Sequence, residues 1–187
     1  MTVGANGGTH VLANVRVDGD RTVDIVMGDG RIEAIAPDLA LLTPAATRIE
    51  GDGLLALPGL VDGHMHLDKT LTGQAWVPHR AGPERMSRIE KEKELRGTLA
   101  PVAERAANLV RCCIAHGTTA IRTHVDVDPE LGLAHIHAVA EVRDRFAGRI
   151  DMQLDAVAEF AHVLVEGRFK PALAQRAPLE PLRTEDF

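Results

Sequence analysis

Two histidines separated by a single residue form the part of the sequence best suited to chemistry. His64 and His66 lie in the stretch LVDGHMHLDKT, after a short apolar run. In a β-strand, side chains at positions i and i+2 project to the same side, so both imidazoles can reach one ion at the ~2.0–2.1 Å of a zinc–nitrogen bond. The spacing therefore predicts a metal site at His64 and His66. The alternative is that one or both histidines only form hydrogen bonds within the core.

The residues around the histidine pair favour the metal interpretation. Gly63 precedes the pair and permits close approach of the backbone. Asp68 lies on the same side by parity if the strand continues, and it could accept a hydrogen bond from a metal-bound histidine. Polar side chains that converge at a strand end are costly to bury without a partner, and a metal is one natural partner. Lys69 is either a cation of the pocket or an exposed loop residue.

A second group of candidate residues follows the histidine pair. His124 and Asp126, in RTHVDVD, lie two apart on a predicted strand, on the same face as Arg122. They are candidates for lining a substrate pocket, or they form structural hydrogen bonds in a polar layer. Trp76, in the loop after the first histidine strand, is a candidate for the wall of that pocket, or it anchors the loop against the next helix.

The elements that would position these residues fall into two patterns. Residues 10–57 alternate apolar and polar side chains and contain the turn signals Asp18-Gly19 and Asp29-Gly30, which predicts a small antiparallel β domain over 1–57. Residues 58–154 give a strand, two helices, a strand, a helix and a strand. That order is typical of βαβ units and a parallel sheet.

Three segments of the second pattern are predicted to be helical, at about 84–95, 99–116 and 133–146. The first is dense in charge, and Arg88 and Glu92 lie one turn apart, which predicts a solvated face with i,i+4 pairs. His135 and His137 are two apart in the third helix and do not face each other. We predict both to lie at the surface.

The last segment, residues 155–187, departs from the βα pattern. Prolines at 171, 178 and 181 argue against a long helix. We predict an irregular or aberrant tail there. The pattern before it supplies about three βα units, whereas a closed eight-unit barrel needs about 250 residues.

Composition excludes several classes of protein. The 187 residues are 45% hydrophobic and 26% charged, with a formal net charge of −6, which argues against a general nucleic-acid-binding surface. No apolar run approaches the ~18 residues of a membrane span. The first ten residues show no features of a signal peptide. We therefore expect a cytoplasmic protein with no nucleic-acid or membrane partner.

The stretch LPGLVDGHMHLDKT, preceded by GDGRIEAIAP, resembles the metal-dependent amidohydrolase superfamily, and HLDKT, TGQAW and IRTHVDVD resemble its cytosine deaminase branch and relatives acting on cyclic amidines. The resemblance covers about residues 10–154. It implies an α/β fold, with an N-terminal β-sandwich segment followed by the first three or so βα units of an incomplete (β/α)8 barrel.

The resemblance also implies a chemistry. His64 and His66 match two metal ligands, and the cofactor would be one divalent ion, zinc or iron. The activity would be hydrolysis of a C–N bond other than a peptide bond, in the form of hydrolytic deamination of a small cyclic amidine or pyrimidine-like substrate.

Part of the implied site has no counterpart in this sequence. The family takes two further histidines, an aspartate and a proton-relay glutamate from later strands, so the catalytic acid is absent and we expect this chain alone to be inactive. Two alternatives stay open, namely another amidohydrolase of the dihydroorotase or hydantoinase kind and a non-catalytic truncated fragment. Homo-oligomerisation through an open sheet edge is a further open alternative.

Overall fold

The computed structural model describes residues 8–19, 21–78, 80–127 and 130–158. The chain divides into two compact units. Among the described residues, the first unit contains those within 8–61 together with 114–120 and 146–151, and the second contains those within 62–113, 121–145 and 152–158. The mixed α/β class predicted from the sequence is confirmed.

The first unit is built on one four-stranded sheet with the order β3-β2-β1-β4. Its strands are β1 (His10–Asp18), β2 (Arg21–Gly28), β3 (Arg31–Ala36) and β4 (Thr47–Glu50), and a short helix α1 (Leu39–Leu42) precedes β4. β1 pairs antiparallel with β2, and β2 with β3, as predicted. The antiparallel prediction is wrong for β4, which pairs parallel with β1 because α1 and its flanking turns return the chain to the start of the sheet. Since β1 to β4 form one sheet, the β-sandwich stays a prediction.

The second hairpin of this sheet follows from its turn residues. Gly28 pairs with Arg31 across a two-residue loop, Asp29-Gly30, whose φ angles are 48° and 74°. Positive φ at both central positions is the conformation that matches the twist of antiparallel strands. The Asp-Gly turn signal therefore sets the register of β2 and β3.

A buried aspartate joins three parts of the first unit. Asp24 on β2 is 8% exposed, and its carboxylate accepts hydrogen bonds from the backbone N–H groups of Asn14 and Ala40, each at 2.8 Å. Asn14 has φ 56° and lies where the β1–β2 register shifts between Leu12 and Val15. Asp24 thus holds the irregularity of β1 and the first turn of α1.

The remaining strands form a three-stranded sheet with the order β5-β6-β7. Its strands and α-helices follow the predicted order: β5 (Leu60–Met65), α2 (Arg85–Leu95), α3 (Val102–Ala115), β6 (Thr118–Val127), α4 (Ala134–Arg145) and β7 (Asp151–Ala158). A 3-10 helix (Arg96–Thr98), which was not predicted, follows α2. Neighbouring strands are joined through helices, as in βαβ units. The predicted boundary at 154 falls inside β7, and residues 159–187 of the predicted tail lie outside the described residues. The partial barrel stays a prediction.

The two faces of β6 differ in the way that the alternation predicts. Ile121, Thr123 and Val125 are buried on one face, at 0–2% exposure. His124 and Asp126 occupy the positions between and beyond them, where side chains project to the other face.

None of the described helices is long and apolar enough to cross a membrane.

Candidate metal and substrate site

One pocket of about 450 Å³ collects the polar side chains at the ends of β5 and β6. His64, His66 and Lys69 line it from β5 and the loop that follows, and His124 and Asp126 line it from β6. The structure therefore brings both predicted metal ligands and two of the three substrate-binding candidates to one place. Within each pair the two residues lie two positions apart in the chain, so an extended backbone projects both side chains to the same side.

Three imidazoles lie together in this pocket. The ring centroids of His64 and His66 are 5.6 Å apart, and the ring of His124 lies 4.2 Å from His64 and 5.7 Å from His66. Within the described part of the chain, no group of three or more His, Cys, Asp or Glu side chains is arranged to hold a metal ion. The described residues therefore offer paired nitrogen donors and not a complete coordination sphere.

The environment of His66 favours its neutral form. Its Nδ1 is buried and lies 3.9 Å from Asp68 Oδ1 and 3.8 Å from Asp126 Oδ1, beyond hydrogen-bond length. Burial lowers the pKa of His66, against the nearby carboxylate of Asp68, which raises it. A neutral imidazole is the form that binds metal, and a ligating histidine commonly presents its other nitrogen to a carboxylate. The donor set and the two carboxylates beside Nδ1 fit a metal ligand.

Asp68 links the loop after β5 to two other elements. Its side chain is fully buried, and Oδ2 accepts a hydrogen bond of 3.0 Å from the backbone N–H of Asp126. Nδ1 of His135, on α4, lies 3.5 Å from the same oxygen. The prediction that His135 is a surface residue is wrong, because its side chain is only 13% exposed, whereas His137 is exposed as predicted.

His135 could have been found from its position in the helix. It is the second residue of α4, and helices that follow a β-strand in βα units begin near the carboxyl ends of the strands, where sites form. The i,i+2 spacing of His135 and His137 shows that the two side chains do not face each other on the helix. It gives no information on whether either side chain contacts residues at the end of a strand, as His135 contacts Asp68.

A buried arginine that the sequence analysis missed holds the loop carrying Asp68. The guanidinium of Arg105, on α3, donates hydrogen bonds to the carbonyl oxygens of Ala100 at 2.9 Å, of Asp68 at 3.2 Å and of Thr70. Burial lowers the pKa of Arg105. The planar fork of the guanidinium suits several carbonyl acceptors at once. The only sequence signal was an arginine next to the apolar stripe of α3.

Lys69 is a residue of the pocket. Its ammonium forms an ion pair with Asp126 and lies 3.7 Å from Oε2 of Glu92 on α2. Burial raises the pKa of Glu92, and the charge of Lys69 acts in the opposite direction. The cation therefore stands between two carboxylates that would otherwise repel each other.

One face of α2 belongs to the pocket. Four residues of this helix line the pocket: Arg85, Arg88, Ile89 and Glu92. Arg88 and Ile89 each lie three or four positions from both Arg85 and Glu92, which are the spacings of one helix face. The predicted Arg88–Glu92 pair is not formed in the described structure, where the ion pair of Glu92 is with Lys69. Arg85 and Arg88 are exposed, in agreement with the predicted solvated face, whereas the predicted Arg88–Glu92 pairing is wrong.

Trp76 does not line this pocket. Its side chain is 85% exposed, so the structure gives no support to a role in the pocket wall.

β7 contributes two residues that the sequence analysis did not single out. Val157 lines the pocket, and Oδ2 of Asp155 lies 4.0 Å from Nδ1 of His124.

Known proteins with similar sequences and structures agree on a class. No protein-family profile matches the chain. A pterin deaminase from Rhizobium rhizogenes is 32% identical over 145 residues, which cover 75% of this chain and 32% of that protein. The crystal structure of N-isopropylammelide isopropylaminohydrolase from Burkholderia multivorans matches with a TM-score of 0.75 and 38% identity, over 81% of this chain and 38% of that one.

A further solved structure points the same way. 5-Methylcytosine deaminase from Klebsiella pneumoniae, liganded with 5-fluorocytosine, matches with a TM-score of 0.60 and 30% identity, over 79% of this chain and 36% of that one. The chain belongs to the metal-dependent amidohydrolase superfamily, as its resemblance predicted. It spans about a third of the length of these relatives.

Proposed function

We propose that this chain carries part of the active site of a metal-dependent hydrolase that cleaves C–N bonds other than peptide bonds, by hydrolytic deamination of a cytosine-like cyclic amidine. The observation that carries the proposal is the convergence of His64 and His66 in one pocket at the end of β5. The names of the relatives support the reaction type, since two of them are deaminases of nitrogen heterocycles.

His64 and His66 would hold the divalent metal, zinc or iron, since imidazole suits both ions. The bound metal would supply Lewis-acid activation of water near neutral pH. Asp68 and Asp126 stand beside Nδ1 of His66, which leaves Nε2 of that ring for the metal. The loop that carries Asp68 is fixed by Arg105, so the position of His66 depends on contacts well outside the pocket.

His124 and Asp126 would face the substrate beside the metal. His124 lies against the ring of His64, and Asp126 is neutralised by the ammonium of Lys69. Hydrogen-bond acceptors and donors fixed in this way can orient the ring nitrogens and the amino group of a cyclic amidine. We place no proton-relay acid among these residues.

Metal content tests the proposal directly. We expect the 187-residue chain, purified after growth with zinc or iron, to retain metal, and the double variant His64→Ala/His66→Ala to lose it, as measured by plasma mass spectrometry per mole of chain. The matched control is His116→Ala/His137→Ala, which removes two exposed histidines and should leave the metal content unchanged. An equal metal content per mole of chain in both double variants would refute the assignment of His64 and His66 as metal ligands.

Ammonia release from cytosine is the second readout. Assayed with the metal-loaded chain, it asks whether these residues suffice for turnover. Release that disappears in His64→Ala/His66→Ala would support deamination by this chain. Metal binding without ammonia release would keep the ligand assignment and support the prediction that the chain alone is inactive.

A further inference from the structure

The cationic side of the pocket is provided by α2. Arg88 lines the pocket and is exposed to solvent. In the described part of the chain, no carboxylate lies within ion-pair distance of its guanidinium. The two carboxylates that line the same pocket, Glu92 and Asp126, are both placed beside Lys69. A guanidinium therefore faces the pocket while the nearby acids already share another cation.

The pocket lining as a whole is not negative. Lys69, Arg85 and Arg88 carry positive charge there, and Glu92 and Asp126 carry negative charge. A neutral ring would leave the guanidinium of Arg88 facing water. A ring with an anionic substituent would give it a partner, because the planar fork of an arginine matches the two oxygens of a carboxylate.

We propose that Arg88 determines specificity for substrates that carry a carboxylate on the heterocyclic ring, with the ring beside His64, His66 and His124 and the carboxylate on the α2 side. The inference rests on the proposed function, because it assigns a substituent to the substrate of that same pocket. Ile89 follows Arg88 in the lining and is buried, so the carboxylate would be held at the boundary between an apolar wall and solvent.

Binding of product-type rings tests the inference without turnover. The probes are uracil, uracil-5-carboxylate and uracil-6-carboxylate, each titrated into the zinc-loaded chain by isothermal calorimetry. We expect at least one carboxylate to bind about tenfold more tightly than uracil, which is the order of a charge-assisted hydrogen-bond pair. In Arg88→Gln that preference should disappear while the affinity for uracil stays the same.

Two further variants separate recognition from general charge. Arg88→Lys keeps the charge without the planar fork, and its preference should fall between wild type and Arg88→Gln. Arg143→Gln removes the same charge from α4, where Arg143 pairs with Asp144 at the surface, and should leave all three affinities unchanged. Added salt should weaken binding of the carboxylate and not that of uracil. Carboxylates that bind no more tightly than uracil, or a preference that survives in Arg88→Gln, would overturn the proposal.

The outcomes also distinguish this inference from the proposed function. Ammonia release from cytosine with no carboxylate preference would refute the role of Arg88 and leave deamination standing. An Arg88-dependent carboxylate preference with metal content unaffected by His64→Ala/His66→Ala would support recognition and refute the metal site.

Discussion

Replacing Arg105 by methionine would test how the loop after β5 is held. The guanidinium donates to three backbone carbonyls, those of Ala100, Asp68 and Thr70. A net contribution of about 1 kcal/mol per bond gives about 3 kcal/mol. The desolvation that lowers the pKa of Arg105 offsets part of this figure. Methionine keeps much of the apolar stem, so we expect a loss of about 2 kcal/mol in the free energy of unfolding.

Urea unfolding followed by circular dichroism measures this loss. The control is Arg143→Met on α4, a partly exposed arginine paired with Asp144, which should change stability by less than about 0.5 kcal/mol. The stability of Arg105→Lys should lie between those of wild type and Arg105→Met, since an ammonium cannot donate to all three carbonyls in the way a planar guanidinium does. Hydrogen exchange gives a local readout, because the amide of Asp126 donates to Asp68 and should exchange faster once the loop loosens.

If Arg105→Met unfolds within about 0.5 kcal/mol of wild type, and the amide of Asp126 exchanges at the same rate, the three hydrogen bonds contribute nothing net to stability. The loop that carries Asp68 would then be held by its packing, with the buried Leu67 as the candidate anchor.

Two further predictions concern buried carboxylates. Asp24→Ala leaves the amides of Asn14 and Ala40 without their acceptor, so unfolding in urea should show a loss of about 2–4 kcal/mol, and a loss below about 0.5 kcal/mol would contradict the bonding of these amides. For Glu92, burial raises the pKa above its ordinary value of 4.5, so the folded state binds a proton more tightly than the unfolded chain. The stability of wild type relative to Glu92→Gln should therefore fall as pH rises from below 4.5 through the raised pKa. A wild-type urea midpoint that rises relative to that of Glu92→Gln over this range would contradict the prediction.

The part of the site that lies on strands follows from sequence periodicity. A period of two fixes which side chains share a face, so parity alone grouped His64 with His66 and His124 with Asp126. Those four residues do line one pocket. The order of strands and helices followed in the same way from apolar spacing, with helix ends within a few residues of those observed.

The helical contribution could not be predicted by the same reasoning. α2 is polar nearly all round, with Ile89 as its one buried residue, so its sequence does not indicate which polar face meets another element. Arg88 and Glu92 have the i,i+4 spacing of a local ion pair, but in the structure Glu92 pairs with Lys69 instead. Local pairing on a helix surface contributes about 0.2–0.5 kcal/mol, which a single tertiary ion pair can outweigh.

Asp68 shows how far local rules extend into a site. Its parity relative to His66 was readable, and its side chain lies beside that ring. Its other contacts come from the backbone of Asp126 on β6 and from His135 on α4, which are 58 and 67 positions away in the chain. A buried carboxylate needs partners from every direction in which it loses water, and only His66 among these partners lies in the same short stretch of chain as Asp68. Residues that complete a site from other elements are therefore the ones that a single strand pattern leaves out.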